Sequence, residues 1–339
     1  MDTEAWIADE LESFRRADLA RRLTVYPRTG GMMDIGGRIV MNLASNDYLD
    51  LAHDPAVAAA AAAAIHKLGA GATASRLVAG TLSLHEELEK RLAACKGYQA
   101  ALVFGSGYMA NSGAITSIVG RGDTVFADRL AHASIIDAVI LSRARLQRYR
   151  HNDPSHLEEL LRKSGTAGRR LVVTESVFSM DGDIAPLLDI ANAAAGASAM
   201  LMVDEAHSTG VFGPGGAGLI RELRMEDKVN ISMGTLSKAL GGYGGFVACS
   251  AQLCDLMVNK ARPFIFSTGL PPASAASALA ALDVLAARPD IGKKLLDNAA
   301  LLRRRLQDAG LDTGGSASQI IPVMVGENRP AIELSGKLM

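Results

Sequence analysis

Between residues 100 and 249 short apolar runs alternate with stretches of helical spacing, and this alternation limits the chain more than any other feature. Residues 100–104, 123–128, 146–149, 171–175, 201–204 and 244–249 read as strands, and a further apolar run leads into 231–235. Helices open near Met109, at His132 and at Pro154. Strand and helix in alternation build βαβ units, and these pack as a mostly parallel sheet covered by helices. The expected fold class is therefore α/β. In open sheets of this kind ligands bind beyond the carboxyl ends of the strands. The residues just after each apolar run are the first places to look for chemistry.

Two such edges stand out. In Ile231-Ser232-Met233-Gly234-Thr235-Leu236-Ser237-Lys238-Ala239-Leu240-Gly241-Gly242 a lysine follows a buried-looking strand. Burying a lysine is costly unless its charge is used or removed. Hydroxyls precede it, and the glycines after it let another body approach the backbone closely. Such a lysine suits a phosphate-bearing carbonyl cofactor, or is simply a lysine on a strand-end loop. The second edge is Leu201-Met202-Val203-Asp204-Glu205-Ala206-His207. Pyridoxal phosphate needs a carboxylate to keep its ring nitrogen protonated, and Asp204 is placed for that. His207 could reach the ring oxygen. Either residue alone is more often structural; acid, histidine and lysine together at ends of apolar runs are harder to dismiss.

Further motifs lie elsewhere along the chain. They include Ser45-Asn46-Asp47-Tyr48-Leu49, Ser75-Arg76-Leu77-Val78-Ala79-Gly80 with His85, and Gly105-Ser106-Gly107-Tyr108-Met109-Ala110-Asn111. His132-Ala133-Ser134, His151-Asn152-Asp153, Ser179-Met180-Asp181-Gly182-Asp183 and Ser267-Thr268-Gly269-Leu270-Pro271-Pro272 follow. In content and order these stretches resemble the α-oxoamine synthases, pyridoxal-phosphate enzymes of the aspartate-aminotransferase fold (fold type I).

The resemblance implies a decarboxylative condensation of an amino acid with an acyl thioester. The motif wording inclines toward L-alanine and a pimeloyl thioester, with other amino acids and thioesters of the family as alternatives. An aminotransferase is a weaker alternative. Lys238 would hold pyridoxal 5'-phosphate and act as general base, with His132 and His207 as its catalytic companions. Gly107, Tyr108 and Thr235 would serve the phosphate, and Thr268 would reach it from the other subunit of a homodimer with a shared site. His132 would lie on the ring, or merely bond its own loop. Ser179 would bond near the ring oxygen or the substrate carboxylate. Arg21, Asn46 and His132 would meet substrate, and no metal is expected. Arg76 could face an anion, though loop arginines are usually solvated.

The expected organisation is an N-terminal helix and hairpin segment over 1–45, a large cofactor-binding domain over 46–275 and a small, incomplete α/β domain over 276–339. Residues 2–22 read as an amphipathic helix and 32–43 as a hairpin around Gly36-Gly37. Residues 272–287 and 291–309 read as long helices, 320–325 as a strand and 329–339 as the start of a helix. The family carries a carboxylate-binding arginine beyond the point where this chain stops. Cofactor binding is therefore expected with weak condensation, or a non-catalytic cofactor-binding protein, with Arg329 the first candidate substitute.

The 339 residues carry a formal net charge of −1, which gives no support for nucleic-acid binding. Cys95, Cys249 and Cys254 cannot all pair, which suits a reducing compartment. No apolar run is long enough to span a bilayer. Residues 1–23 lack a signal-peptide core, so a cytoplasmic location is expected.

Overall fold

The computed structural model describes residues 3–165 and 167–339. A small antiparallel sheet comes first: β1 (Arg28–Thr29), β2 (Met32–Ile35) and β3 (Arg38–Met41). Gly36 and Gly37 take φ of 61° and 87°, the left-handed pair that closes a two-residue hairpin with Ile35 opposite Arg38. The large sheet contains β4 (Ala100–Phe104), β5 (Thr124–Asp128), β6 (Arg145–Tyr149) and β7 (Arg170–Glu175). It is completed by β8 (Met200–Asp204), β9 (Ile231–Thr235) and β10 (Gly245–Cys249). Their order is β4-β10-β9-β8-β7-β5-β6. Only β10 runs antiparallel to its neighbours; β9, β8, β7, β5 and β6 pair in parallel.

These strands are apolar on both faces because helices cover both. One cluster joins Val125, Leu171, Met202 and Val247 to Ile115, Ile135 and Phe264. Another joins Phe126, Val172 and Val203 to Leu157, Leu187 and Ile190. Each such side chain contributes about 1.5–3 kcal/mol when fully buried. The packing is close enough to dictate a glycine: a methyl group on Gly234 would sit 2.3 Å from Phe246 Cζ. Helix starts are marked by side-chain caps. Asp54 accepts from the N–H of Ala56, Ser106 from Met109, Asp153 from His156 and Ser250 from Leu253.

Two expected elements differ. The N-terminal helix spans Ala5–Arg16 rather than 2–22, and Asp2 lies outside the described residues. Asp18, with φ of 54°, turns the chain out of the helix, and 17–27 follow without regular structure. Residues 320–325 form no strand. They meet the rest of the chain through single bonds, such as Met324 N–H to Asp312 O at 2.8 Å, and no neighbouring ladder pairs with them among the described residues. The helices Pro272–Ala287, Ile291–Asp308 and Asn328–Leu338 form where helical spacing places them.

Candidate active site

Lys238 stands on the connection from β9 to β10, and Asp204 ends β8 beside it. They share a cavity of about 220 Å³ with Ser106, Gly107, Tyr108, Asn111, His132, Ser134, Glu175, His207, Thr235 and Ser237. The carboxyl ends of β7, β8 and β9 supply its floor, which is where an open α/β sheet presents ligand sites.

Asp204 accepts from Asn111 Nδ2 at 2.8 Å and from the N–H of Ala206 at 2.9 Å. Asn111 Nδ2 also donates to Ser134 Oγ at 2.9 Å, and Ser134 Oγ lies 2.8 Å from His132 Nδ1. His132 caps the helix Ala133–Ser142, bonding its own loop, and lines the cavity. The His132 N–H donates to Glu175 Oε1 at 2.6 Å. Burial and the charge of Asp204 push Glu175 up to about 8.

Lys238 Nζ lies 2.6 Å from His207 Nε2. Burial lowers the lysine's affinity for its proton, opposed by Asp204 and Glu175. Burial, then Lys238 and His132, push the His207 imidazole down to about 3, so the ring is neutral. The site therefore holds an amine whose hold on its proton is weakened by burial.

At the other end of the cavity the helix Gly107–Ile118 points its N-terminus inward, with free N–H groups in its first turn. A Cβ at 107 would lie 3.0 Å from Met233 Cε and 3.5 Å from Thr235 Oγ1, so a side chain there would press on both. Thr235 Oγ1 donates to Gly244 O at 2.9 Å and sits 2.8 Å from Ser237 Oγ. The residues present fit the cofactor that the resemblance implies. Helix N–H groups and hydroxyls await a phosphate, a fixed carboxylate awaits a ring nitrogen, and Asn111 Oδ1 is buried without a protein partner.

Several expected residues lie elsewhere. Asn46 and Ser179 line a neighbouring cavity of about 710 Å³, together with Tyr48, Ser237 and Gln319. Thr268 is exposed and bridges to Ser75, outside the Lys238 cavity of this chain. Arg21 is exposed and lines neither cavity. Arg76 is neither solvated nor free for an anion: it makes a two-pronged ion pair with Glu89 at 2.9 and 3.0 Å. Arg329 pairs with Asp18 at the surface, away from both cavities. The glycines after Lys238 do admit a close approach, but the visitor is the chain itself. A Cβ on Gly241 would lie 2.2 Å from Ala52 N. Asp47, Asp50 and His53 bring possible metal-ligand atoms within 4.8 Å of one another, but Asp47 already accepts from Leu51 and Ala52 and His53 bonds Asp50.

Asn111, Ser134, Glu175 and Tyr48 were not expected at the site. Asn111 carried a usable signal, being a large polar side chain within the small and apolar pattern of 109–118.

The Aminotransferase class I and II family matches residues 38–339. The 8-amino-7-oxononanoate synthase of Geobacter sulfurreducens is 50% identical over 336 residues, covering 98% of this chain and 86% of that one. Serine palmitoyltransferase from S. paucimobilis, solved with a PLP–myriocin adduct, superposes with a TM-score of 0.88 at 32% identity, covering 96% of this chain and 86% of that chain. An 8-amino-7-oxononanoate synthase from Francisella tularensis gives a TM-score of 0.76 at 30% identity over 87% of this chain and 84% of that chain. With likeness on this scale in sequence and in fold, the chain belongs to the class I and II aminotransferase family, among its pyridoxal-phosphate-dependent 8-amino-7-oxononanoate synthases.

Proposed function

We propose that the Lys238 cavity carries out the decarboxylative condensation of L-alanine with a pimeloyl thioester, giving 8-amino-7-oxononanoate for biotin synthesis. The observation that carries this reading is the desolvated Lys238 amine, 2.6 Å from a neutral His207 and sharing its cavity with Asp204. Pyridoxal phosphate, when bound, supplies the electron sink for the charge left at the amino acid's α-carbon.

The chain's residues do the rest. Lys238 would hold the cofactor at its carbonyl group and, once freed, would remove and return the α-proton at Nζ. Its lowered proton affinity suits that task at neutral pH. Asp204, fixed by Asn111 and the N–H of Ala206, keeps a carboxylate opposite the ring nitrogen. His132 would pack against the ring, and His207 would donate to its oxygen. Gly107, Tyr108 and Thr235 hold the phosphate through backbone N–H and hydroxyl groups. Ser179 and Asn46 face substrate in the larger cavity, which admits the thioester. Thr268 serves the phosphate of a second copy, so the active form is a homodimer with a shared site, working in the cytoplasm. On this reading 46–275 is the cofactor-binding domain, 1–45 a preceding segment and 276–339 a small domain.

The test is incubation with pyridoxal phosphate, L-alanine and pimeloyl-CoA, with mass detection of the product. A second reading comes from the fold likeness to serine palmitoyltransferase. L-serine with palmitoyl-CoA in the same assay separates the two, and product from serine alone would overturn the first.

A further inference from the structure

His207 is held at both ring nitrogens by groups distant in sequence. Lys238 Nζ lies 2.6 Å from Nε2, on the side of the smaller cavity. Tyr48 Oη lies 2.7 Å from Nδ1, and Tyr48 lines the larger cavity. The two ring centroids are 6.1 Å apart at 46°, so the contact is a polar one and not a stack. The backbone carbonyl of His207 accepts from Gln319 Nε2 at 2.7 Å.

A neutral imidazole carries one N–H, and the partner of one nitrogen decides which. Two arrangements satisfy this pair. In one, the phenol donates to Nδ1, and Nε2 carries the proton toward Lys238. In the other, Nδ1–H donates to the phenol oxygen, the phenol proton goes to Asn46 Oδ1, and Nε2 is bare. With the Lys238 amine neutral the distances decide between them, whereas an ammonium 2.6 Å away would donate to a bare Nε2. Asn46 Oδ1 is 3.3 Å from Tyr48 Oη, long for an O–H donor, and Asn46 is exposed to water that can satisfy it. Burial also raises the phenol's hold on its proton.

We propose that Tyr48 is a positioning residue: by donating to His207 Nδ1 it fixes the tautomer whose Nε2–H points into the Lys238 cavity. This rests on that cavity being the cofactor site. A ring oxygen bearing negative charge is an acceptor only, and Nε2–H is the donor it needs. Without the phenol the proton is free to move to Nδ1, and a bare Nε2 would then face an acceptor.

The experiment is histidine-selective ¹⁵N NMR on the full chain, with and without pyridoxal phosphate, His207 being assigned by loss of its signals in His207→Gln. The expected result without cofactor, at pH 10.5 where the lowered Lys238 amine is mostly neutral, is a protonated Nε2 and a bare Nδ1. In Tyr48→Phe both signals should shift toward a mixture of tautomers. With cofactor, Tyr48→Phe should lower kcat on the order of tenfold, the scale of one lost hydrogen bond, with KM for alanine within about twofold. Asn46→Ala should leave the His207 signals unmoved. A wild-type chain with its proton on Nδ1 at that pH, or a Tyr48→Phe variant with unchanged signals, overturns the proposal. Should Tyr48→Phe fail to fold, the wild-type and Asn46→Ala spectra still decide the tautomer. Failure of borohydride to fix the cofactor on Lys238 would sink the cofactor reading instead, and the cofactor-free spectra are independent of it.

Discussion

Two lysine amines are buried near the end of β8, and their surroundings are opposite. Lys96 is 1% exposed and donates to Glu205 Oε2, Thr209 Oγ1 and Ala217 O, each at 2.8 Å, so all three of its protons have acceptors. Glu205 is equally occupied, accepting from the N–H of Ile220 and from Ser208 and Ser232 hydroxyls. The glycine loop 213–218 closes over this pair, and a Cβ on Gly218 would lie 2.5 Å from Glu205 Oε1. Lys238 has one close polar neighbour, His207, and open volume beyond it. Asp204 and Glu205 are adjacent in the chain, yet one serves each lysine's surroundings. A saturated amine holds the fold in place, whereas an unsaturated one keeps bonding capacity for a ligand.

The contrast can be broken most directly at Lys238. Lys238→Ala should lose borohydride-fixed cofactor and reduce turnover by at least the roughly 10²–10⁴-fold that a positioned acid–base group supplies. Its denaturation midpoint should hold or rise, because a desolvated amine is removed. Turnover close to wild type would end the distinction between the two lysines.

The converse change is Lys96→Met. It strands the Glu205 carboxylate in the core and should cost about 3–5 kcal/mol in urea unfolding. Adding Glu205→Gln should recover much of that loss. If Lys96→Met unfolds like wild type, the saturated cage is not what holds this corner.

Glu175 sharpens the comparison through pH. Its folded value of about 8 stands above the ordinary 4.5. Between those values the folded chain binds more protons than the unfolded one, so stability falls as pH rises and levels off above about 8. The slope is at most about 1.4 kcal/mol per pH unit. In cofactor-free protein, Glu175→Gln should flatten it when unfolding is measured at pH 5, 6.5 and 8. An identical slope in the variant would assign the titration to another group.

The smallest effect is expected at the surface. Arg329→Ala removes an exposed pair with Asp18 and should change stability by less than about 1 kcal/mol and turnover not at all. A large loss of alanine turnover would give this arginine the carboxylate-binding role considered for it from sequence.

The sheet was legible because its strands are short, apolar on both faces and separated by helical spacing. Lys238, Asp204 and His207 were legible because each follows such a run, and strand ends converge on one edge. Contacts that join distant segments left no local mark. Asn111 reaches Asp204 across 93 residues and Tyr48 reaches His207 across 159, and neither spacing has a periodicity to betray it. Arg76 reads as a loop arginine until Glu89, on the next helix, is seen to claim both its prongs. Residues 320–325 have the composition of a strand, but a strand also needs a neighbour, and composition does not report neighbours.

The antiparallel turn of β10 against β9 has a kinetic consequence. The Lys238 segment closes a hairpin between Thr235 and Gly245, a short loop that can form early. The Asp204–Asn111 and Tyr48–His207 contacts must wait for far longer loops to close. Refolding chains should therefore regain sheet structure before they regain the ability to take up cofactor. The Lys238 hairpin is made first, and its amine stays idle until the longest loops have closed.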